Sequence, residues 1–198
     1  MQIGTIAQLC GYNTDLKKKQ STMGAILMAA AAHKINAVGN GKVGDNFTSG
    51  DRIDNVTQIS DIEGAGVLDS RWARDIVANG KFWWPTVYDA GFPYSKTVTI
   101  TANETSVVRI CIFWLRQNSV SSHTSGNVTT GTMSDLKLQI LNPSGSIAAE
   151  SNVSQGNFEI VQFTPHMTGN YTIKIIDLGG HSGKDYIGIA MWNGTLGN

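Results

Sequence analysis

Asp135-Leu136-Lys137-Leu138-Gln139-Ile140-Leu141, followed at once by Asn142-Pro143-Ser144-Gly145, decides how this chain reads. Leu136, Leu138 and Ile140 point to one side of an extended segment, and Lys137 and Gln139 to the other. That two-residue period belongs to a strand with one buried face. The four residues after it form a turn, with Pro pre-setting φ and Gly ending it. The same pattern recurs on both sides. Tyr171, Ile173 and Ile175 alternate against Thr172 and Lys174, and strands are expected at 96–102, 106–115, 146–151, 157–163, 169–177 and 185–192. Short strands punctuated by such turns predict an antiparallel sandwich. Residues 116–133, rich in Ser, Thr, Asn and Gly, read as a mobile loop, and Gly179 to Lys184 as a hairpin loop.

The period changes at Lys81, and before it the chain is helical in pattern. Ile3, Ile6, Leu9 and Cys10 have helical spacing, with Gly11 as a C-cap. Ser21 is a suitable N-cap for a second, Ala-rich helix expected over Thr22 to Lys34. Ala37 to Asp61 carries four glycines among Asn, Asp and Thr and reads as a long loop. Gly64-Ala65-Gly66 then makes a tight turn, and Asp69 or Ser70 caps a short helix running to about Ala78. The expected class is α + β in two parts: a helical part, residues 1–80, and an antiparallel sandwich, residues 81–198.

Composition narrows the functions. The chain has 198 residues, 41% of them hydrophobic, and 15 basic residues balance 15 acidic ones. The only basic run is Lys17-Lys18-Lys19, read as a solvated loop, so no nucleic-acid stripe is present. That run followed by apolar Met23 to Ala32 imitates a signal peptide. A helical segment precedes it, however, and it is shorter than the roughly 20 residues that span a bilayer. It therefore reads as a buried helix, with neither a signal peptide nor a membrane span. Cys10 and Cys111 lie in different halves and read as buried free thiols, giving no disulfide framework and no metal motif.

Two segments carry a family resemblance. Gly64-Ala65-Gly66-Val67-Leu68-Asp69-Ser70-Arg71-Trp72-Ala73 resembles the stretch that closes the catalytic domain of subtilisin-like serine proteases. Ala25-Ile26-Leu27-Met28-Ala29-Ala30-Ala31-Ala32-His33 resembles the same family's Ala-rich helix, in the family's order. The resemblance covers residues 1 to about 80 and implies the helical tail of an α/β subtilisin-type catalytic domain. Downstream, Ser134 to Leu138, the Asn-Pro-Ser-Gly turn, Glu159 to Thr164 and Thr168-Gly169-Asn170-Tyr171-Thr172-Ile173 resemble the β-jelly-roll domains appended to secreted proteases. Lys137 stands where those domains usually carry a second Asp, which weakens the carry-over of a calcium site. Asp135 is the one metal candidate, with Asp177 and Asp185 also expected at strand ends; no cofactor is firm, and calcium is the only one with a case.

The chemistry of hydrolysis is not carried by these residues. The family's nucleophile opens a helix with a Gly-Thr-Ser-Met-Ala-like motif; Ser21-Thr22-Met23 lacks the preceding Gly and the following Ala-Pro. His33, His123, His166 and His181 have no catalytic context, and no His-Glu-x-x-His occurs. Gly179-Gly180-His181-Ser182-Gly183-Lys184 fits neither a phosphate-binding loop nor a nucleophile elbow. The resemblance thus implies a C-terminal portion of a secreted or cell-surface serine endopeptidase, inactive by itself. Its partner would be the rest of that catalytic domain, and its role stabilising or substrate-positioning. Two rivals stand beside it. One is an independent sandwich that binds a glycan or protein, for which Trp83, Trp84, Trp114 and Trp192 would have to form an exposed face. The other is a separately encoded subunit completing a protease from another chain. On the first reading residues 1–80 cannot bury their own apolar helix, and proteolysis is expected to cut first between Ala37 and Asp61, leaving a core from near Lys81.

Overall fold

The computed structural model describes residues 16–32, 66–88, 91–103, 106–115, 118–120, 128–130, 134–153, 156–179 and 184–195. In chain order the elements are α1 (Leu16–Ala29), β1 (Ala31–Ala32), β2 (Val67–Leu68), α2 (Ser70–Ala78), β3 (Phe82–Trp83), β4 (Thr86–Tyr88), β5 (Tyr94–Ile100) and β6 (Ser106–Leu115). They continue with β7 (Asn118–Val120), β8 (Val128–Thr130), β9 (Asp135–Leu141), β10 (Ile147–Ser151), β11 (Phe158–Phe163), β12 (Gly169–Gly179) and β13 (Lys184–Thr195). The expected helix at residues 3–11 and the loop from Ala37 to Asp61 lie outside the described residues.

Two antiparallel sheets face each other. One runs β10-β9-β12-β5; the other runs β11-β6-β13-β3, with β4 also on β13. β3 and β4 pair with the same strand, at Ile189 and at Tyr186, so they are two lengths of one edge strand broken at Pro85. β9 behaves as its alternating pattern requires. Leu136, Leu138 and Ile140 are buried between the sheets, while Lys137 pairs with Glu150 on the outer face at 2.9 Å. Its turn closes through Gly145 N–H to Asn142 O at 2.9 Å, with Gly145 at φ 83. Asn142 Oδ1 also accepts from the backbone N–H of Ser144 and Ser146.

The five-stranded sheet is buried on both faces. Ile110, Ile112 and Trp114 of β6 point into the space between the sheets. Cys111 of β6, Ile160 of β11 and Ala190 and Trp192 of β13 point the other way, into a second core built with the helices. This explains the unbroken apolar run from Ile110 to Leu115, which a one-sided strand would not carry. The result is three layers: helices, five-stranded sheet, four-stranded sheet.

The helical layer docks by small residues. Buried positions on α1 and just beyond it are 21, 22, 25, 26, 29 and 30, a four-residue spacing that makes one face. Five of these six are Ser, Thr or Ala, so the helix comes very close to β13. A Cβ on Gly188 would overlap the carbonyl group of Ser21 and the amide nitrogen of Thr22. A Cβ on Gly24 would lie 2.7 Å from the Phe113 ring. After α1 the chain pairs Ala31 with Leu68 and Ala32 with Val67, and Asp69 N–H donates to Ala30 O at 2.9 Å. Asp69 then caps α2, accepting from the N–H groups of Arg71 at 2.8 Å and Trp72 at 3.4 Å. The other end of α2 closes with Lys81 N–H to Ile76 O and Gly80 N–H to Val77 O, with Gly80 at φ 61. This pair of hydrogen bonds around a left-handed residue ends the helix and delivers Lys81 O to the Met191 N–H of β13 at 2.9 Å.

Four sequence expectations shift. The Ala-rich helix starts at Leu16, taking in Lys17 to Lys19, because lysine and glutamine are good helix formers. It ends at Ala29, because Ala31 and Ala32 pair with β2 instead. The 116–133 stretch contains a short antiparallel strand pair, β7 with β8, in which Val120 pairs with Val128. The link from Gly179 to Lys184 is not a hairpin, since β12 and β13 belong to different sheets.

Candidate functional site

The backbone positions of the three aspartates picked from the sequence lie toward one end of the sandwich. Asp135 begins β9 and pairs with Gly179, while Asp177 pairs with Leu136. Asp185 lies two residues before Ile187, which pairs with Trp114, and the Trp114 indole N–H donates to Ser134 O at 3.1 Å. The side chain of Asp185 lies outside the described residues. Asp177 Oδ1 accepts the Gly179 N–H at 2.9 Å, so it holds the end of its own strand. Asp135 is half-buried, and its Oδ1 is enclosed without a hydrogen-bond partner among the described residues.

A fourth acid, Glu159, was not singled out from the sequence. It lies on β11 at the parity of Val161 and Phe163, facing the space between the sheets, and is 0% exposed. Ser151 Oγ–H donates to its Oε2, and the Val153 N–H donates to its Oε1 at 2.8 Å. Burial pushes the Glu159 carboxyl up to about 7; the bonds from Ser151 and Val153 pull it down, and the charge of Asp135 pushes it up again. The readable signal was parity: an alternating strand with Val161 and Phe163 inward must also turn Glu159 inward.

A calcium cage needs about six to eight oxygens. Among the described residues no three His, Cys, Asp or Glu side chains lie together. Asp135 Oδ1 is an uncommitted oxygen, but both Glu159 oxygens and Asp177 Oδ1 already accept protein donors. The described residues therefore do not fit a calcium ion by themselves.

Nucleophilic chemistry fares no better. Ser21 is 0% exposed, with its backbone against Gly188, so its hydroxyl cannot meet a substrate. His166 is exposed; His33, His123 and His181 lie outside the described residues. Cys111 is wholly buried under the helices, and burial raises its thiol well above the ordinary range, against the pull of the Arg109 guanidinium and with a further push from Glu159. Arg109, also buried, is lowered to about 10 chiefly by that burial, and its Nη1 donates to Gln162 Oε1 at 3.0 Å. Cys111 is accordingly expected to resist a short iodoacetamide pulse in the native chain and to react fully in denaturant. Native-state alkylation seen by peptide mass spectrometry would show that the helices do not cover it.

The four tryptophans do not make a binding platform. Trp114 and Trp192 are buried, Trp83 is half-buried with Lys96 Nζ 5.3 Å from its ring centre, and Trp84 is 46% exposed. A pocket of about 260 Å³ opens between the end of α2 and β13, lined by Asp75, Asn79, Lys81 and Asn193 with Ile76, Met191 and Trp192. The Trp192 ring is stacked on Trp72 at 3.7 Å, so that face is not offered to a sugar.

No protein-family profile matches the chain, and no curated protein matches it. Among solved structures, an arabinose-bound MgGH51 α-L-arabinofuranosidase is similar over 50% of this chain at 14% identity and a TM-score of 0.28. The match covers 17% of that enzyme's chain, and a likeness this slight carries no argument about fold or activity. No helix among the described residues is long and apolar enough to cross a membrane.

Proposed function

We propose that this chain is the C-terminal part of a subtilisin-like serine endopeptidase, in which a β-jelly-roll accessory domain clamps and stabilises the last helices of the catalytic domain. One observation carries the reading. The described parts of the two segments that resemble the protease family, 25–32 and 66–73, come together through β1 and β2, and both contribute to the core against the sandwich. Counting the edge strand of β4 as first, then β5, β6, β9, β10, β11, β12 and β13, the sheets run 1-8-3-6 and 2-7-4-5. That order supports the jelly-roll part of the reading. The parent would cleave peptide bonds by acyl transfer outside the cell, with nucleophile and base supplied by residues upstream of this sequence. The sandwich would contribute no reacting group.

The test is the genomic DNA immediately upstream of codon 1. An in-frame Gly-Thr-Ser-Met-Ala-like stretch is expected; an in-frame stop with no protease gene beside it would overturn the proposal. In parallel, the chain alone is expected to leave denatured casein intact and to take up no serine-directed fluorophosphonate. Labelling of Ser21, or of any other serine, would contradict the accessory role.

A further inference from the structure

We propose that Glu159 is a protonation-dependent clasp that holds together the edge strands of the two sheets. β11 is the edge of the five-stranded sheet and β10 the edge of the four-stranded one. Glu159 reaches from β11 to the last residue of β10, Ser151, and to the backbone of Val153 just beyond it. One buried carboxyl thus ties both edges where the chain crosses between sheets. A carboxyl in such a place can be held neutral, when its proton adds a donor, or charged, when it faces burial and its neighbours without a counter-ion.

The neighbours decide which form is favoured. From β9, the Asp135 carboxylate bears on Glu159 and raises its affinity for a proton. From β6, Cys111 is a buried thiol, while Arg109 lies on the helix-side face of the sheet and is bonded to Gln162. From β10, Glu150 is paired with Lys137 on the outer face. The described side chains of α1, which packs against the same sheet, carry no charge. No cation among these meets the carboxyl, so the neutral form is favoured in the fold. The folded value, about 7, lies above the ordinary 4.5. The stabilisation is therefore complete below about pH 4.5 and is lost as pH rises through about 7. Across that window the unfolding equilibrium constant rises by up to about tenfold per pH unit, roughly 300-fold in all.

The experiment is denaturant unfolding of the full chain between pH 4.5 and 8, for the wild type and for Glu159→Gln. Glutamine keeps the geometry: its amide nitrogen can donate to Ser151, and its oxygen can accept from Val153. The wild type is expected to lose stability steadily up to about pH 7, and Glu159→Gln to lack that component and to be the more stable protein at pH 8. Equal slopes in the two proteins would overturn the proposal. If Glu159→Gln fails to fold, carbon-detected NMR of the wild-type Glu159 carboxyl serves instead: titration near 7 supports the clasp, and titration near 4.5 refutes it. Asp135→Asn should move the wild-type transition to lower pH. Repeating the series with calcium and with chelator separates proton from metal: if calcium abolishes the wild-type slope, the pair is a cation site and the clasp reading fails.

Discussion

Gly188→Ala is expected to destabilise the chain by about 3 kcal/mol or more, at the upper end of the cost of overpacking a close-packed site. The added methyl would overlap the Ser21 carbonyl and the Thr22 amide nitrogen. These are backbone atoms of a helix, so no side-chain rotation relieves the clash, and α1 must move off β13 as a body. Movement uncovers Ile26, whose burial is worth roughly 1.5–3 kcal/mol, and opens the sheet face around Ala190 and Cys111. For a chain of this size the melting temperature should fall by roughly 10 °C. Thermal unfolding followed by far-UV circular dichroism measures it. A change within about 0.5 kcal/mol, the range of ordinary surface substitutions, would mean that α1 does not rest on β13.

Trp192→Ala is expected to cost about 3–5 kcal/mol. Trp192 is a β13 residue 5% exposed, stacked on Trp72 of α2 with ring centres 3.7 Å apart. Truncation removes the stack, itself worth about 0.5–1.5 kcal/mol, and leaves a cavity between helix and sheet. Gly194 adds to the constraint, since a Cβ there would lie 2.6 Å from the Trp192 ring, so the ring is wedged and the site cannot easily collapse. Denaturant midpoints measure the loss. Leu68→Ser is the control: Leu68 is 38% exposed, and its replacement should change stability by less than about 0.5 kcal/mol.

What the sequence could and could not disclose follows from range. β9 and its turn were readable to the residue, because alternation and a Pro-Ser-Gly turn are local signals. The cap of α2 was readable to within one residue, Asp69 or Ser70; it is Asp69, bonded to the N–H groups two and three positions ahead. The second core was not readable. The run from Ile110 to Leu115 announces burial on two sides but does not name what covers the outer side. Gly188 has no local reason to be glycine; its reason is Ser21, far away along the chain. For the same cause the sequence alone places the start of the protease-resistant core near Lys81. With α1 and α2 sharing a core with β6, β11 and β13, the resistant material should instead retain both helices, held in place even after a cut between Ala37 and Asp61. At the candidate site, the positions of Asp135, Asp177 and Asp185 near strand ends were legible from alternation alone. The pairing of Glu159 with Ser151 was not, because alternation says which face a residue takes, not which strand of the other sheet lies opposite.

The central claim is that the helical segments and the sandwich are one cooperative core. Native-state hydrogen exchange measures this most directly. The amides of Ile26 and Ala29 in α1 should be protected to the same free energy as those of Ile110 and Ile112 in β6, both opening only with the whole chain. If α1 exchanges orders of magnitude faster while β6 stays protected, the helices are a loose attachment, and the sandwich does not clamp them.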